Sequence, residues 1–278
     1  MKIGIVGLGT IGSKLIEYLP QKGFQVIAYT HRNIESHAGI FEKSIEKKVK
    51  YEKLDYEFIG TMKSRVEFSQ SIAAIHDCDL IIECVKEDYE IKKGVLRDIF
   101  NSVDSDANVV STTSSLDLFR LVDPKERYRF CGMHFFNPPT KMRLIELSFL
   151  SENTTDFRTA IYRFLNSLDD KKIIELPCIQ GFVVNRLLFA YLNHAMNYVA
   201  SEKVAVQDVD DAMKLGTNAP MGPFELMDYI GIDVTLQILN TLHGDLGNEN
   251  YRANAMLEEM LKRNELGRKT GKGFYAYQ

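Results

Sequence analysis

The sequence predicts an α/β chain: a doubly wound sheet in its first part, followed by an all-α C-terminal domain. Three observations carry this. Short apolar strands alternate with helical patterns as far as Pro177. A strand–Gly-x-Gly-x-x-Gly–helix–strand unit opens the chain at Gly7–Gly12. Beyond Pro177 strand patterns stop and helical ones run to the end, which places the domain boundary at 178/179.

The totals suit that class. A chain of 278 residues makes one large domain or two ordinary ones. Apolar content of 45% and charged content of 26% are those of a soluble globular protein. A net charge of −4 gives no reason to expect nucleic acid or an anionic membrane as partner. Cys78, Cys84, Cys131 and Cys178 are scattered without a C-x-x-C pair. They read as core thiols in a reducing compartment, so no disulfide and no metal site is expected. No apolar run approaches the ~20 residues of a membrane span. The first strand begins close to Met1, so no targeting peptide is expected and the location is cytoplasmic.

Lys2–Val6 is a short apolar strand. A helical pattern, Ser13–Leu19, follows the glycines and Pro20 ends it; Gly23 turns the chain into a second strand, Gln25–Tyr29. This is a Rossmann-type βαβ opening of about 30 residues. Gly7 permits the tight turn, Gly9 lets backbone approach a pyrophosphate, and Gly12 lets helix and strand pack closely. Thr10 and Ile11 belong to the same cradle, and the helix N-terminus supplies amide donors for phosphate. After the second strand, where an acid usually accepts from the ribose hydroxyl of NAD, the chain reads Thr30-His31-Arg32. A hydroxyl and a guanidinium suit a 2′-phosphate, which favours NADP, with NAD the alternative.

Phe41–Leu54 is rich in Lys and Glu at helical spacing and reads first as a solvated helix face. Cys78–Val85 is a buried parallel-type strand, Tyr89–Phe100 a helix and Asn108–Ser111 another strand. Glu87 and Lys92 follow the end of one strand and are candidates for a cofactor ribose, or a solvated turn and helix face. Thr112-Thr113-Ser114-Ser115 follows the other. One hydroxyl there caps a short helix, Leu116–Val122, and another is available to substrate.

Residues 129–136 and 143–149 read as strands around Asn137-Pro138-Pro139-Thr140, which must turn because proline has no ladder donor. If they pair about Thr140, His134 and Glu146 face each other, since each lies six positions away. Opposed side chains sit roughly 5 Å apart at Cβ. A carboxylate there fixes the imidazole tautomer, as a general acid/base needs. Alone, such a pair is more often an ion pair on an ordinary hairpin.

In the helical part, Gly181 precedes a helix from Phe182 to about Ser201 that is apolar almost all round and reads as buried, in part by another subunit. Asn185 is the polar residue near its start, open to a substrate oxygen or a structural partner. Val206–Leu215 is a helix closed by Gly216, Pro223 starts Phe224–Tyr229, and helices follow near Ile232–Leu242 and Arg252–Arg263. The Gly267–Tyr275 tail reads as a docked C-terminus.

The stretches GLGTIG, CDLIIECVKED, TSSL (113–116), GMHFFNPP with MRLIEL, GFVVNRLL, AMKLG, PMGPFELMDYIGID and GRKTGKGFYAY resemble the short-chain L-3-hydroxyacyl-CoA dehydrogenase family, of the 3-hydroxybutyryl-CoA dehydrogenase type. The resemblance covers nearly the whole chain. It implies a Rossmann-type domain, a helical domain that makes most of a homodimer interface, a substrate cleft, and an acyl-CoA substrate with NAD(P) as cofactor. By motif position His134 matches the catalytic base and Glu146 its partner carboxylate. Ser114 and Asn185 match the residues that bind the reacting oxygen, and Glu87 and Lys92 those near the nicotinamide ribose. The lysines of 43–50 fall where the family contacts CoA phosphates. The chain departs from the family in three places: the missing acid after the second strand, Thr112 where the family carries Asn beside the nicotinamide, and a slightly short excursion after Arg32. Relatives of the same fold act on non-CoA hydroxy acids such as gulonate or carnitine, and one group is a lens protein. Both remain alternatives, as the same chemistry on a free acid or as a non-catalytic role.

Overall fold

Alternating apolar strands and amphipathic helices build an eight-stranded sheet within the first of two compact units, Met1–Gln180 and Gly181–Gln278. The structure is a computed structural model and describes residues 1–277. In chain order the first unit runs β1 (Lys2–Val6), α1 (Gly12–Tyr18), β2 (Gln25–Tyr29), α2 (Ile34–Glu52), α3 (Glu57–Ser64), β3 (Val66–Ser69) and β4 (Leu80–Glu83). It continues through α4 (Tyr89–Ser102), β5 (Asn108–Ser111), α5 (Leu118–Leu121), β6 (Phe130–Phe135), β7 (Leu144–Phe149), α6 (Thr155–Asn166) and β8 (Lys172–Leu176).

The strand order is β3-β2-β1-β4-β5-β6-β7-β8. All neighbours are parallel except β6 and β7, which pair antiparallel. Such a sheet is covered on both faces, so its inner strands read as unbroken apolar runs. Ile3 and Ile5 of β1 pack with Leu15 of α1, Phe41 and Ile45 of α2 and Phe157 and Phe164 of α6 on one face. Val6 and Ile81 pack with Leu96 and Ile99 of α4 and Leu121 of α5 on the other. Burying each such side chain stabilises the fold by about 1.5–3 kcal/mol. The chain reverses direction across the sheet between β1 and β4, and that switch point opens a crevice at the C-terminal ends of the strands.

Side-chain caps set several helix starts. Asn33 accepts from Ser36 N, Asp88 from Ile91 N and Thr154 from Phe157 N, each cap adding about 1 kcal/mol. The lysine-rich stretch lies in α2, which starts at Ile34 and so extends well ahead of Phe41; Phe41, Ile45 and Val49 face the core while Lys43, Lys47 and Lys50 are exposed. The strand expected over 78–85 is confined to Leu80–Glu83, and the helix expected over 116–122 to Leu118–Leu121, because Asp117 caps Phe119 N.

The second unit holds α7 (Val184–Glu202), α8 (Val206–Thr217), α9 (Pro223–Ile230), α10 (Ile232–Leu246) and α11 (Ala255–Lys262) around a core that includes Phe189, Leu192, Phe224, Met227, Leu239 and Leu257. Three expected helix bounds are corrected. Gly216 is helical, and α8 ends instead on Asn218, which takes the left-handed conformation (φ 56°). Helix α10 runs on to Leu246, and α11 starts only after Asn254, whose side chain accepts from Met256 N. One face of α7 is left open in the single chain, where Leu187, Tyr191 and Tyr198 are exposed. The tail docks on buried Asp228, which accepts from Phe274 N (2.9 Å), Tyr275 N (3.0 Å) and the Tyr277 hydroxyl (2.9 Å). Among the described residues no helix is long and apolar enough to cross a membrane, no group of side chains is arranged to hold a metal ion, and all four cysteines are free.

Candidate active site

The glycine loop between β1 and α1 is shaped by contacts that leave no room for side chains. Gly7 sits at φ +96°, where a Cβ would meet Val85 Cγ1 at 2.7 Å, and its N–H donates to Tyr29 O at 3.1 Å. A Cβ on Gly12 would lie 1.9 Å from the Gly7 carbonyl oxygen, so α1 packs directly on the loop. Gly9 differs: it is exposed, and a Cβ there would meet only Cys84 O, at 3.9 Å. Thr10 is exposed beside it, and Ile11 begins α1 with no side-chain cap. A crowded root, an open tip and an uncapped helix start fit the pyrophosphate of a dinucleotide.

At the end of β2, Thr30 is buried and its hydroxyl accepts from Arg32 N at 3.1 Å. The hydroxyl therefore shapes the turn, and Arg32 stands exposed on it. No acid follows the strand at 30–32.

The ends of β4 and β5 carry a buried charge cluster. Glu83, fully buried, accepts from Lys92 Nζ at 2.8 and 3.0 Å, from the Ser111 hydroxyl at 2.5 Å and from Val85 N at 2.6 Å. Lys92 lies 3.6 Å from Glu87 as well. Glu87 Oε1 accepts from the Thr113 hydroxyl (2.7 Å), Ser114 N and Ser115 N (2.8 Å each), and the Ser115 and Ser114 hydroxyls (3.0 and 3.2 Å). Burial pushes the Glu87 carboxyl up, but the Lys92 charge and these donors outweigh it and hold the group below its usual range. Burial likewise pulls the Lys92 ammonium down, and Glu83 and Glu87 together more than restore it. Lys92 was expected near a ribose or on a solvated face. The structure corrects the second: its side chain is 1% exposed and turned inward to the two carboxylates. Thr112 N donates to Glu83 O at 2.9 Å, which extends the β4–β5 ladder one step into the hydroxyl turn.

On the hairpin the register pairs His134 with Glu146, and Nδ1 lies 2.9 Å from Glu146 Oε2. Both are buried, and the imidazole packs against Phe136, tilted by 48° with 4.4 Å between ring centroids. A carboxylate only accepts, so Nδ1 carries the proton and Nε2 is the nitrogen that takes one up. The turn contains a cis peptide between Asn137 and Pro138 and closes through Lys141 N and Met142 N onto Pro138 O. In the helical unit, Asn185 is buried in the first turn of α7. The first unit thus joins Glu87 to Ser114, and His134 to Glu146.

Glu83 and Ser111 belong to no motif that marks them as functional. The signal was there: an acid inside the apolar run Leu80–Cys84 of a buried strand requires partners.

This architecture, a switch-point crevice with a dinucleotide cradle, is that of a dinucleotide-binding protein. The profile of the 3-hydroxyacyl-CoA dehydrogenase NAD binding domain matches residues 2–176, and that of the 3-hydroxyacyl-CoA dehydrogenase C-terminal domain matches residues 181–277. The chain belongs to the 3-hydroxyacyl-CoA dehydrogenase family. It is 33% identical over 280 residues to a probable 3-hydroxybutyryl-CoA dehydrogenase of Deinococcus radiodurans, covering 100% of both chains. It is 34% identical over 283 residues to the 3-hydroxybutyryl-CoA dehydrogenase of Clostridioides difficile, covering 100% of this chain and 99% of the relative. The solved (S)-3-hydroxybutyryl-CoA dehydrogenase PaaH1 of Ralstonia eutropha superposes with a TM-score of 0.90 at 30% identity, covering 100% of this chain and 99% of that one.

Proposed function

We propose that the chain moves a hydride between NAD(P) and a short-chain (S)-3-hydroxyacyl-CoA/3-oxoacyl-CoA pair, such as 3-hydroxybutyryl-CoA and acetoacetyl-CoA. The observation that carries this reading is the buried His134–Glu146 pair at 2.9 Å. The cofactor, when bound, supplies the hydride acceptor or donor. In the oxidising direction His134 Nε2 takes the proton of the 3-hydroxyl, and Glu146 stabilises the imidazolium through Nδ1–H. In reduction the imidazolium returns that proton to the oxygen. With substrate bound, the Ser114 hydroxyl turns from Glu87 to donate to the reacting oxygen, and Asn185 is assigned to the same oxygen on its motif position. Gly7, Gly9, Thr10, Ile11 and Gly12 hold the pyrophosphate and Glu87 a ribose hydroxyl, while Lys92 acts through Glu87. The exposed ammonium groups of Lys43, Lys47 and Lys50 on α2 offer charge to the phosphates of CoA.

Steady-state reduction of acetoacetyl-CoA, with free acetoacetate beside it and NADH and NADPH side by side, tests the reading. Turnover of the thioester well above that of the free acid is expected; turnover of neither contradicts the reading. We assign NADP as the preferred cofactor because Arg32 is exposed where an acid would otherwise stand. Arg32→Ala then weakens NADPH at least about 10-fold and leaves NADH nearly unchanged, since charge-assisted contacts to phosphate contribute about 1.5–3 kcal/mol. Equal losses for both cofactors would overturn the assignment.

A homodimer is the proposed state. Leu187, Tyr191 and Tyr198 form an exposed stripe along α7, which a second copy would cover. Light scattering should return twice the chain mass of 31.8 kDa, and a single-chain mass contradicts the proposal. Four free cysteines suit a reducing compartment, and the cytoplasm is the assigned location.

A further inference from the structure

We propose that Glu83 is a positioning residue for this reaction: it anchors the turn that carries Ser114 and keeps Lys92 from closing onto Glu87. The proposal rests on the reading of Ser114 given above and deepens it.

Glu83 and the turn are joined by a short chain of bonds. The Ser111 hydroxyl donates to Glu83 Oε2 at 2.5 Å and accepts from Thr113 N at 3.2 Å. The turn is held at its tip as well, where Glu87 Oε1 accepts from the backbone of Ser114 and Ser115. Thr113 closes the frame, its hydroxyl donating to Glu87 and accepting from Leu116 N at 3.1 Å. One ammonium serves both carboxylates, bonded to Glu83 and 3.6 Å from Glu87. Packing does not require an acid at this position: Leu80, Ile81 and Ile82 fill the rest of the strand and are buried. A buried carboxylate with three donor groups is costly to assemble, and here it fixes the root of a functional turn.

Neutralising Glu83 leaves Lys92 with Glu87 as its one charged partner. Closing from 3.6 Å to an ordinary ion-pair distance of about 2.8 Å is a relative shift of roughly 0.8 Å, which Lys92 shares with the Glu87 carboxylate and the Ser114 and Ser115 amides bonded to it. A misplacement of about 1 Å can cost on the order of 100-fold in rate.

The test is Glu83→Gln in the full chain, which keeps the size and the acceptor for Ser111. Its kcat for acetoacetyl-CoA reduction is expected to fall by about 10- to 100-fold, with KM for the thioester within about 3-fold of the parent. Adding Lys92→Met removes the unbalanced ammonium and should restore part of the lost kcat. A merely structural role gives losses that multiply, and that result overturns the proposal, as does a Glu83→Gln variant with parental kcat. A crystal structure of Glu83→Gln gives a readout independent of turnover. The Thr113–Ser115 turn should shift toward Lys92, and an unmoved turn overturns the proposal. If the parent chain fails to reduce acetoacetyl-CoA, the reading of the reaction is at fault, and the position of the turn in that crystal structure alone decides the role of Glu83.

Discussion

Replacing His134 with glutamine is expected to lower kcat for acetoacetyl-CoA reduction by about 10³-fold while cofactor binding stays near the parental value. In the proposed mechanism the imidazole exchanges a proton with the reacting oxygen, and a positioned acid/base contributes about 10²–10⁴-fold. Glutamine keeps a similar length and polarity in a site that is buried beside Phe136. It has no group that takes up a proton near neutral pH. The glycine loop follows β1, which β4 and β5 separate from β6 in the sheet, so a fluorescence titration with the reduced cofactor should give a nearly parental Kd. A variant that turns over at the parental rate would remove His134 from the chemistry.

Glu146→Gln is expected to cost about 10²–10⁴-fold in kcat, for a different reason. Glu146 Oε2 accepts from Nδ1 at 2.9 Å, which leaves Nε2 as the basic nitrogen. A glutamine amide can instead donate to Nδ1, and the proton then moves to Nε2, the wrong tautomer for a base. The imidazolium that forms in turnover also loses its counter-charge inside a buried site. The fold should survive, because the amide fills the same space between β6 and β7. Circular dichroism beside steady-state kinetics checks both halves, and a folded variant with unchanged kcat would contradict the role given to the carboxylate.

Much of the fold and of the site is legible in the sequence, because it is written in local chemistry. The six positions on either side of Thr140 set the His134–Glu146 register, since prolines at 138 and 139 allow only a turn between two apolar strands. The three glycines mark the loop, and the change of texture after Pro177 marks the two parts. What escapes lies where local pattern and tertiary environment disagree. Strands β3 and β8 go unread because they are the two edges of the sheet and carry mixed polarity, with Glu67, Lys172 and Glu175 exposed. Helix α6 is also passed over, although Thr154 caps it. Lys92 looks like a solvated lysine on a charged helix, and only the packing of α4 against β4 turns it inward to Glu83 and Glu87. The stripe of Leu187, Tyr191 and Tyr198 on α7 is legible as apolar, but periodicity does not say what covers it.

The most direct measurement is a double-mutant cycle on kcat, comparing His134→Gln, Glu146→Gln and the variant carrying both. If the carboxylate acts through the imidazole, the double variant should turn over at about the rate of His134→Gln alone, because removing the base leaves Glu146 nothing to orient. Losses that simply multiply would show that the two residues act separately and would contradict a proton relay through one His–Glu unit.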